Sequence, residues 1–146
     1  MDRRNFLLSG TVFVSAMIAR AQTESSKLEV QVSYMGSGTV DESHKVYVVL
    51  WDSPDFIKGD TGGPPIGMKT VTSRSGVAQF SNIQKNPVYI SMVYDPSGKW
   101  DGASAPPTGV SLGLYAKEPG TPAPIQLEAG KTTKISATFD DSIKMP

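Results

Sequence analysis

The chain has 146 residues, with 14 basic and 14 acidic side chains, one histidine and no cysteine. The absence of cysteine excludes disulfides, thiolate catalysis and cysteine metal sites. Its basic residues are scattered singly, whereas nucleic-acid binding needs clustered Lys and Arg to neutralise phosphates, so nucleic acid is excluded as a partner.

The first 21 residues have the composition of a cleavable signal peptide. A positive start precedes an apolar segment at residues 6–18, and Ala19 and Ala21 occupy the −3 and −1 positions, which makes Gln22 the mature N-terminus. The apolar segment is shorter than the roughly 20 residues that a transmembrane helix needs, so an uncleaved anchor is the weaker alternative. We expect an exported bacterial protein, periplasmic or secreted, with no membrane span after cleavage.

The export route stays open at the level of sequence. Residues 3–7 (RRNFL) resemble a twin-arginine export signal, but Asp2 stands where that pattern prefers Ser or Thr, and general secretion is an equal alternative. Cleavage removes three arginines and one aspartate, which leaves 125 residues with a net charge of −2. That length predicts a single domain at residues 22–146.

Apolar and polar residues alternate along most of the mature chain, which is typical of strands with one buried face. The alternating segments are residues 28–34, 78–80, 88–94, 125–127 and 135–139. Residues 46–51 are apolar or aromatic at every position, which predicts a central strand covered on both faces. No segment after Gln22 keeps helical spacing over three turns. The sequence therefore predicts an all-β, antiparallel fold of seven to eight strands.

Glycine-containing turns separate the predicted strands. Glycine occupies positions where a tight turn needs a positive φ in residues 35–38, 73–76, 95–98 and 129–131. Residues 52–65 and 99–124 are rich in Pro and Gly and are predicted to be loops. Loops of this length in a compact domain are usually functional or mobile, although plain solvated connections are the alternative.

Residues 72–83 (TSRSGVAQFSNI) and the strand from Val88 resemble the carboxypeptidase regulatory-like, transthyretin-like family. The shared features are a turn glycine, small and aromatic inward residues, and a Tyr-bearing strand. The sequence departs from the family at Asn86-Pro87, where Pro-Gly is usual. The resemblance implies a seven-stranded prealbumin-like β-sandwich with a role in structural support, adhesion or ligand contact. Fold analogy alone does not supply a function.

The loop at residues 95–102 (DPSGKWDG) is a weak candidate calcium site. It is similar to an acidic glycine loop in an exported bacterial family of the same architecture, where the loop looks calcium-like. Calcium takes six to eight oxygen ligands, and here Asp95 and Asp101 offer carboxylates and Ser97 a hydroxyl. Lys99 stands where a further acid would help. The alternative is a plain turn in which Asp95 caps its own backbone, and the sequence gives no candidate for another cofactor.

Aromatic and acidic residues near the strand ends form a candidate binding set. Aromatic rings offer flat apolar faces to a sugar, and carboxylates accept hydrogen bonds from its hydroxyl groups. The candidate residues are Trp51, Asp52, Tyr94, Asp95, Trp100, Asp101 and Tyr115. Such aromatic residues are also common in cores and at protein interfaces. Exposure of both tryptophans on one surface would favour carbohydrate, and their burial would favour a protein partner.

The sequence predicts no enzyme. His44 follows Asp41, Glu42 and Ser43, which together supply the residue types of a serine triad. Adjacent residues point in different directions, however, and a triad requires convergence in space. We therefore expect His44 to be a solvated turn residue.

The preferred interpretation is an exported, non-catalytic binding or structural module. Its loops at residues 52–65 and 95–112 would face a partner in the cell envelope. The aromatic side chains of these loops would be buried by the partner and would supply most of the binding energy. The alternative is a carbohydrate-binding module with a calcium-stabilised loop, whose partner is an envelope polysaccharide. A hydrolase built on His44 ranks third.

Overall fold

A computed structural model describes residues 25–146, and the expected signal peptide lies outside the described residues. This part of the chain forms nine strands and one 3-10 helix, Pro54–Gly62. The strands are β1 (Ser26–Tyr34), β2 (Val46–Trp51), β3 (Gly67–Val71), β4 (Ser75–Ile83), β5 (Tyr89–Tyr94), β6 (Ser111–Leu114), β7 (Ala116–Glu118), β8 (Thr121–Pro122) and β9 (Thr132–Phe139). No helix in this part of the chain is long and apolar enough to cross a membrane.

The strands form two larger sheets and one small hairpin. The first sheet has the order β4-β1-β9, the second has the order β3-β2-β5-β6, and β7 pairs with β8. The all-β prediction is confirmed, but the described residues form nine strands and not the predicted seven to eight. The prediction of purely antiparallel pairing is wrong at one place, because β1 and β9 run parallel, from Lys27 opposite Thr132 to Tyr34 opposite Phe139. Parallel neighbours need a long connection, and here most of the domain lies between the two strands.

The inner faces of the two larger sheets meet in one hydrophobic core. Alternation directs every second side chain of each strand inward. The core residues of β1, β2 and β5 are Leu28, Val30, Val32, Tyr34, Val46, Val48, Leu50, Ile90, Met92 and Tyr94. Full burial of one such side chain contributes about 1.5–3 kcal/mol, so this shared core is the main reason that the two sheets stay together.

The region from residue 99 to residue 124 differs from the sequence prediction. It was expected to be a loop, but it contains β6, β7 and β8. These strands are four residues long or shorter, which is too short for alternation to be recognised in sequence. Residues 125–127, predicted as a strand, contribute only an isolated bridge between Ile125 and Val88.

The turn glycines fall into two groups. Gly98 and Gly130 have positive φ angles of 72° and 76°, so the turn prediction is confirmed at those two positions. It is wrong in residues 35–38 and 73–76, whose glycines do not have a positive φ. Gly36 is needed there for a different reason, since a Cβ at this position would collide with the Asp141 carboxylate.

The carboxylate of Asp141 closes one end of the two-sheet core. It accepts hydrogen bonds from the Tyr34 hydroxyl, from the Ser111 hydroxyl at 2.7 Å and from the Ser37 backbone N–H at 2.9 Å. These bonds, led by the one from Tyr34, hold the pKa of Asp141 well below its usual 3.8. Burial and the same hydrogen bond raise the pKa of Tyr34 to about 12. One side chain therefore joins β1, the loop after β1, β6 and the C-terminal segment.

The C-terminal segment continues from Asp141 along the edge of β6. The Leu112 N–H donates to the Ile143 carbonyl at 2.9 Å, and the Met145 N–H donates to the Val110 carbonyl at 3.0 Å. Residues 143–145 therefore act as an additional short edge segment of the four-stranded sheet.

Replacement of Asp141 by Asn should make the protein less stable and less sensitive to acid. Hydrogen bonds to a charged group contribute about 1.5–3 kcal/mol, so we expect Asp141→Asn to lower the free energy of unfolding by about 2 kcal/mol at neutral pH. Because the folded-state pKa is lowered, the wild-type advantage is present above the unfolded pKa of about 3.8 and is lost as the pH falls below it. Urea unfolding across this pH range measures the effect.

The matched control is Asp140→Asn, since Ser142 is the only described residue that donates a hydrogen bond to the carboxylate of this exposed neighbour. It should cost less stability than Asp141→Asn. A difference between wild type and Asp141→Asn that stays constant down to low pH would contradict the role of the Asp141 charge.

Candidate functional site

Both tryptophans lie on the outer face of the four-stranded sheet, where each is half-buried, so their exposure by itself favours neither a sugar nor a protein partner. Tyr47, Val49 and Trp51 of β2 point outward because the residues between them fill the core. Tyr47 and Trp51 stand four residues apart, which is about 13 Å along a strand. Trp51 stacks on Phe56, with ring centroids 4.8 Å apart and planes 11° apart. Trp100 meets Tyr47 edge to face at 4.7 Å, so two aromatic pairs cover the two ends of this face.

The first aromatic pair is part of an apolar surface that we call the Trp51 patch: Trp51, Phe56, Ile57 and Ile66. The Trp51 indole N–H donates to the Ser91 hydroxyl at 2.9 Å, which fixes the ring on the sheet. Ile57 follows Phe56 in the 3-10 helix and is 50% exposed, and Ile66, next to the start of β3, is 40% exposed. The patch therefore presents large apolar side chains to solvent beside a fixed aromatic pair.

Local sequence explains the shape of the segment that carries Phe56. Ser53 caps the 3-10 helix by accepting a hydrogen bond from the Asp55 N–H at 3.1 Å, and Pro54 occupies the first turn, where its missing N–H costs nothing. Lys58 forms an exposed ion pair with Asp55 at 3.2 Å. At the other end of the segment, the Ile66 N–H donates to the Leu50 carbonyl at 2.8 Å. The patch is thus anchored to β2 on both sides.

Asp95 organises the loop that carries Trp100. The side chain is only 3% exposed, and its carboxylate accepts hydrogen bonds from the backbone N–H groups of Ser97, Lys99 and Trp100 at 2.8–3.0 Å. Burial alone raises the pKa of Asp95, but the hydrogen bonds from Ser97, Trp100 and Lys99 outweigh burial and leave the pKa below its usual value. The Tyr47 hydroxyl then donates to the Trp100 carbonyl at 2.6 Å, which ties the loop to β2.

The geometry of this loop matches a self-capped turn. Both Asp95 oxygens already accept hydrogen bonds, whereas a calcium ion needs free oxygens. Asp101 is exposed and accepts a hydrogen bond from the Ala103 N–H at 2.8 Å. Within residues 25–146, no group of three or more acidic or histidine side chains is placed to hold a metal ion. Hydrogen bonds from the loop's own backbone, including those at Ser97, account for its shape.

A polar cleft lies between the turn at residues 41–45 and the loop that begins at Asp95. Its volume is about 240 Å³. It is lined by Glu42, Ser43, Lys45, Tyr47, Asp95 and Gly98. The cleft borders the second aromatic pair, Tyr47 and Trp100, so a ligand there would meet hydrogen-bonding groups on several sides and an aromatic ring on one.

The remaining candidate residues are placed differently. Tyr94 is 3% exposed, its ring stacks on Tyr34 at 4.6 Å, and its hydroxyl donates to the Thr39 carbonyl at 2.7 Å. Tyr115 is half-buried against the core, and Asp52 is exposed directly after Trp51. The structure therefore brings Trp51 and Asp52 to one end of the outer face and puts Tyr94 on the opposite, inner face.

Several residues of these surfaces were not among the sequence candidates. Tyr47, Phe56, Ile57 and Ile66 were not singled out. The apolar run at residues 46–51 was a usable signal for Tyr47, because a strand covered on both faces carries apolar side chains outward as well as inward. For Phe56 and the isoleucines the only signal was their presence in a Pro-rich loop.

His44 is a turn residue. Its Nδ1 lies 2.9 Å from Asp41 Oδ1, and the same oxygen accepts hydrogen bonds from the Ser43 and His44 N–H groups. The hydrogen bond from the His44 side chain is the main reason that the pKa of Asp41 is lowered. In the described part of the chain, no hydroxyl group donates to the imidazole of His44.

No protein family matches the sequence, and comparison with curated proteins and with solved structures gives no match. The function is therefore inferred from the surfaces of the protein itself.

Removal of the Asp95 carboxylate should release the Trp100 loop. We expect Asp95→Ala to lower the free energy of unfolding by about 2–3 kcal/mol, because several N–H groups lose a charged acceptor. In a Trp51→Phe background Trp100 is the only tryptophan, so its fluorescence should shift to longer wavelength when the ring leaves Tyr47. Urea unfolding and emission spectra measure the two effects. The control Asp101→Ala removes an exposed carboxylate that accepts one hydrogen bond, so it should change neither the free energy of unfolding nor the emission wavelength. Equal effects of the Asp95 and Asp101 variants would contradict the role of Asp95.

Proposed function

We propose that the protein is an exported, non-catalytic binding module whose partner is a protein of the cell envelope. The observation that carries the proposal is the Trp51 patch. Ile57 and Ile66 are 50% and 40% exposed beside the Trp51–Phe56 stack. Exposed apolar side chains that cluster around fixed aromatic rings are typical of surfaces that a protein partner buries.

The support for this patch is its attachment to the sheet as well as its composition. Its helix is capped by Ser53 and its two ends are attached to β2. A preorganised surface loses little conformational entropy on binding, so more of the buried apolar area contributes to affinity. A flexible Pro-rich loop without these contacts would lose that advantage.

Other features support the remaining parts of the proposal. The composition of residues 1–21 favours export. Two sheets of three and four strands around one core agree in strand number with a seven-stranded prealbumin-like sandwich, and that resemblance favours adhesion or ligand contact. Only Asp41 hydrogen-bonds the His44 ring among the described residues, which gives a hydrolase no support.

The proposal is tested by reversing the polarity of the patch. We expect Ile57→Asp and Ile66→Asp to weaken saturable binding to an envelope protein fraction at least tenfold, because a buried charge without a partner is costly. The measurement is retention of increasing amounts of that fraction on immobilised protein, followed by identification of the bound species.

Val77→Asp is the matched control, since Val77 is 55% exposed but lies on β4 in the other sheet. It should leave binding unchanged. Equal retention by wild type, the Val77 variant and both isoleucine variants would show that the Trp51 patch is not the binding surface.

The alternative candidate is a carbohydrate-binding module, and the polar cleft beside Tyr47 is the observation that favours it. The cleft is lined by acidic, basic and hydroxyl side chains, and its volume of about 240 Å³ suits a single sugar unit rather than a protein segment. Hydroxyl-rich ligands need several hydrogen-bonding partners as well as an aromatic surface.

The two candidates predict opposite results with envelope polysaccharide. If carbohydrate is the ligand, Glu42→Ala should weaken binding to purified polysaccharide at least tenfold, because the hydrogen bonds to sugar hydroxyls are lost. Ile57→Asp should leave that binding unchanged. Titration calorimetry with both variants separates the candidates, and absence of polysaccharide binding by wild type would exclude this alternative.

A further inference from the structure

The two larger sheets together have four edges, and three of them are protected against further strand pairing. The edge of β6 is covered by residues 143–145. The edge strand β4 is interrupted by a register shift opposite the start of β1, and Asn82 there has a positive φ of 55°. The edge strand β3 has only five residues. Short strands, bulges and covering segments are the devices by which proteins block edge-to-edge association.

Within residues 25–146, the fourth edge, β9, has none of these devices. It is eight residues long, contains neither Pro nor Gly, and pairs with β1 without a register shift. Its one charged residue is Lys134, and charges on edge strands oppose association. The Lys134 ammonium, however, lies 3.8 Å from the Glu29 carboxylate on β1. The charge is therefore directed across the sheet toward β1 and away from the open edge.

The hydrogen-bond pattern identifies the free backbone groups of β9. At the two ends of the ladder, the Lys27 N–H donates to the Lys131 carbonyl and the Met35 N–H donates to the Phe139 carbonyl. Because the register between them is unbroken, the odd-numbered residues of β9 direct both backbone groups to β1. The even-numbered residues direct theirs to the open edge. Those residues are Thr132, Lys134, Ser136 and Thr138.

We propose that this edge pairs antiparallel with β9 of a second copy of the chain, which would join two three-stranded sheets into one sheet of six strands. No backbone group of the four edge-directed residues hydrogen-bonds any other described residue. An antiparallel partner satisfies all of these groups only when its own free groups have the same two-residue spacing. Every strand has this spacing, but a second copy of β9 also has the same length, so that all four edge-directed residues of each strand can be paired at once.

One register is favoured among those that the spacing allows. The register that places Lys134 opposite Ser136 of the partner strand also places Thr132 opposite Thr138, so all four edge-directed residues on each strand are paired. It brings the half-buried Ile135 directly opposite Ile135 of the second copy. In the register centred on Lys134, this residue would lie opposite Lys134 of the second copy. Two like charges in that position destabilise the pairing.

The predicted dimer is weak and reversible. A single pair of edge strands buries less than the roughly 1,200 Å² that characterises stable complexes, so we expect association in the micromolar range or above. The pairing uses the three-stranded sheet, whereas the Trp51 patch lies on the other sheet. The inference is therefore independent of the proposed function, and either can fail alone.

Proline substitution tests the pairing in solution. Ser136→Pro removes an N–H that points to the open edge, a position at which strands tolerate Pro. The control Val77→Pro removes an outward N–H from the edge of β4, since Val77 lies between residues that are hydrogen-bonded to β1. Sedimentation velocity over a concentration series up to about 1 mM should show a dimer for wild type and Val77→Pro and only monomer for Ser136→Pro. A wild-type protein that stays monomeric, or a dimer that survives Ser136→Pro, would overturn the proposal.

A cysteine cross-link tests the register and remains informative if the proline variant does not fold. The chain has no cysteine of its own. Residues opposite each other in a non-hydrogen-bonded antiparallel pair have Cα atoms about 4.5 Å apart, which a disulfide can bridge. Ile135→Cys should therefore form disulfide-linked dimers at least tenfold faster than Val77→Cys under mild oxidation. Equal rates, or a faster reaction of Val77→Cys, would show that β9 is not the pairing edge.

Discussion

The half-buried carboxylate of Asp141 is the polar contact that fixes the C-terminal end of the fold. It lies between the end of β9 and the C-terminal segment, and its donors come from β1, from the loop after β1 and from β6. By fixing the chain at this point, it directs residues 143–145 onto the edge of β6. The same turn ends β9 at Phe139 and leaves that strand at the side of its sheet. One side chain thus helps to place the segment that covers the edge of β6.

The second constraint is the central position of β2. When a strand has neighbours on both sides and apolar side chains on both faces, exposure of its whole outer face to solvent is unfavourable. The chain covers this face with two loops that each contribute one aromatic ring, Phe56 over Trp51 and Trp100 against Tyr47. Neither loop covers the face completely. The binding surfaces that we propose are the consequence of this partial cover: an apolar patch at one end and a polar cleft at the other.

The elements that the sequence predicts well are those whose signal is local. Alternation over five or more residues identified β1, β5 and β9, because one buried face imposes a period of two, and a continuous apolar run identified β2. The same alternation placed Tyr94 on the inward face with Met92, which is where it lies, so its inclusion among the binding candidates conflicted with a pattern already visible in sequence. By contrast, β6 to β8 are too short to show a period. Parallel pairing of β1 with β9 leaves no local trace, because it depends on how the whole chain closes.

The site could be predicted only in part, for a related reason. The sequence indicated which loops matter, but Asp residues in loops look alike whether their charge faces a ligand or the loop's own backbone. Here Asp95 and Asp141 both direct their oxygens to N–H and hydroxyl donors of the same chain. Their charge is therefore used to hold the structure and is not free for a partner. Recognition must then come from the residues that these carboxylates leave exposed. A surface whose apolar side chains supply the affinity should bind its partner with little dependence on ionic strength, whereas a charged ligand held by Glu42 or Lys45 in the cleft should depend on it strongly.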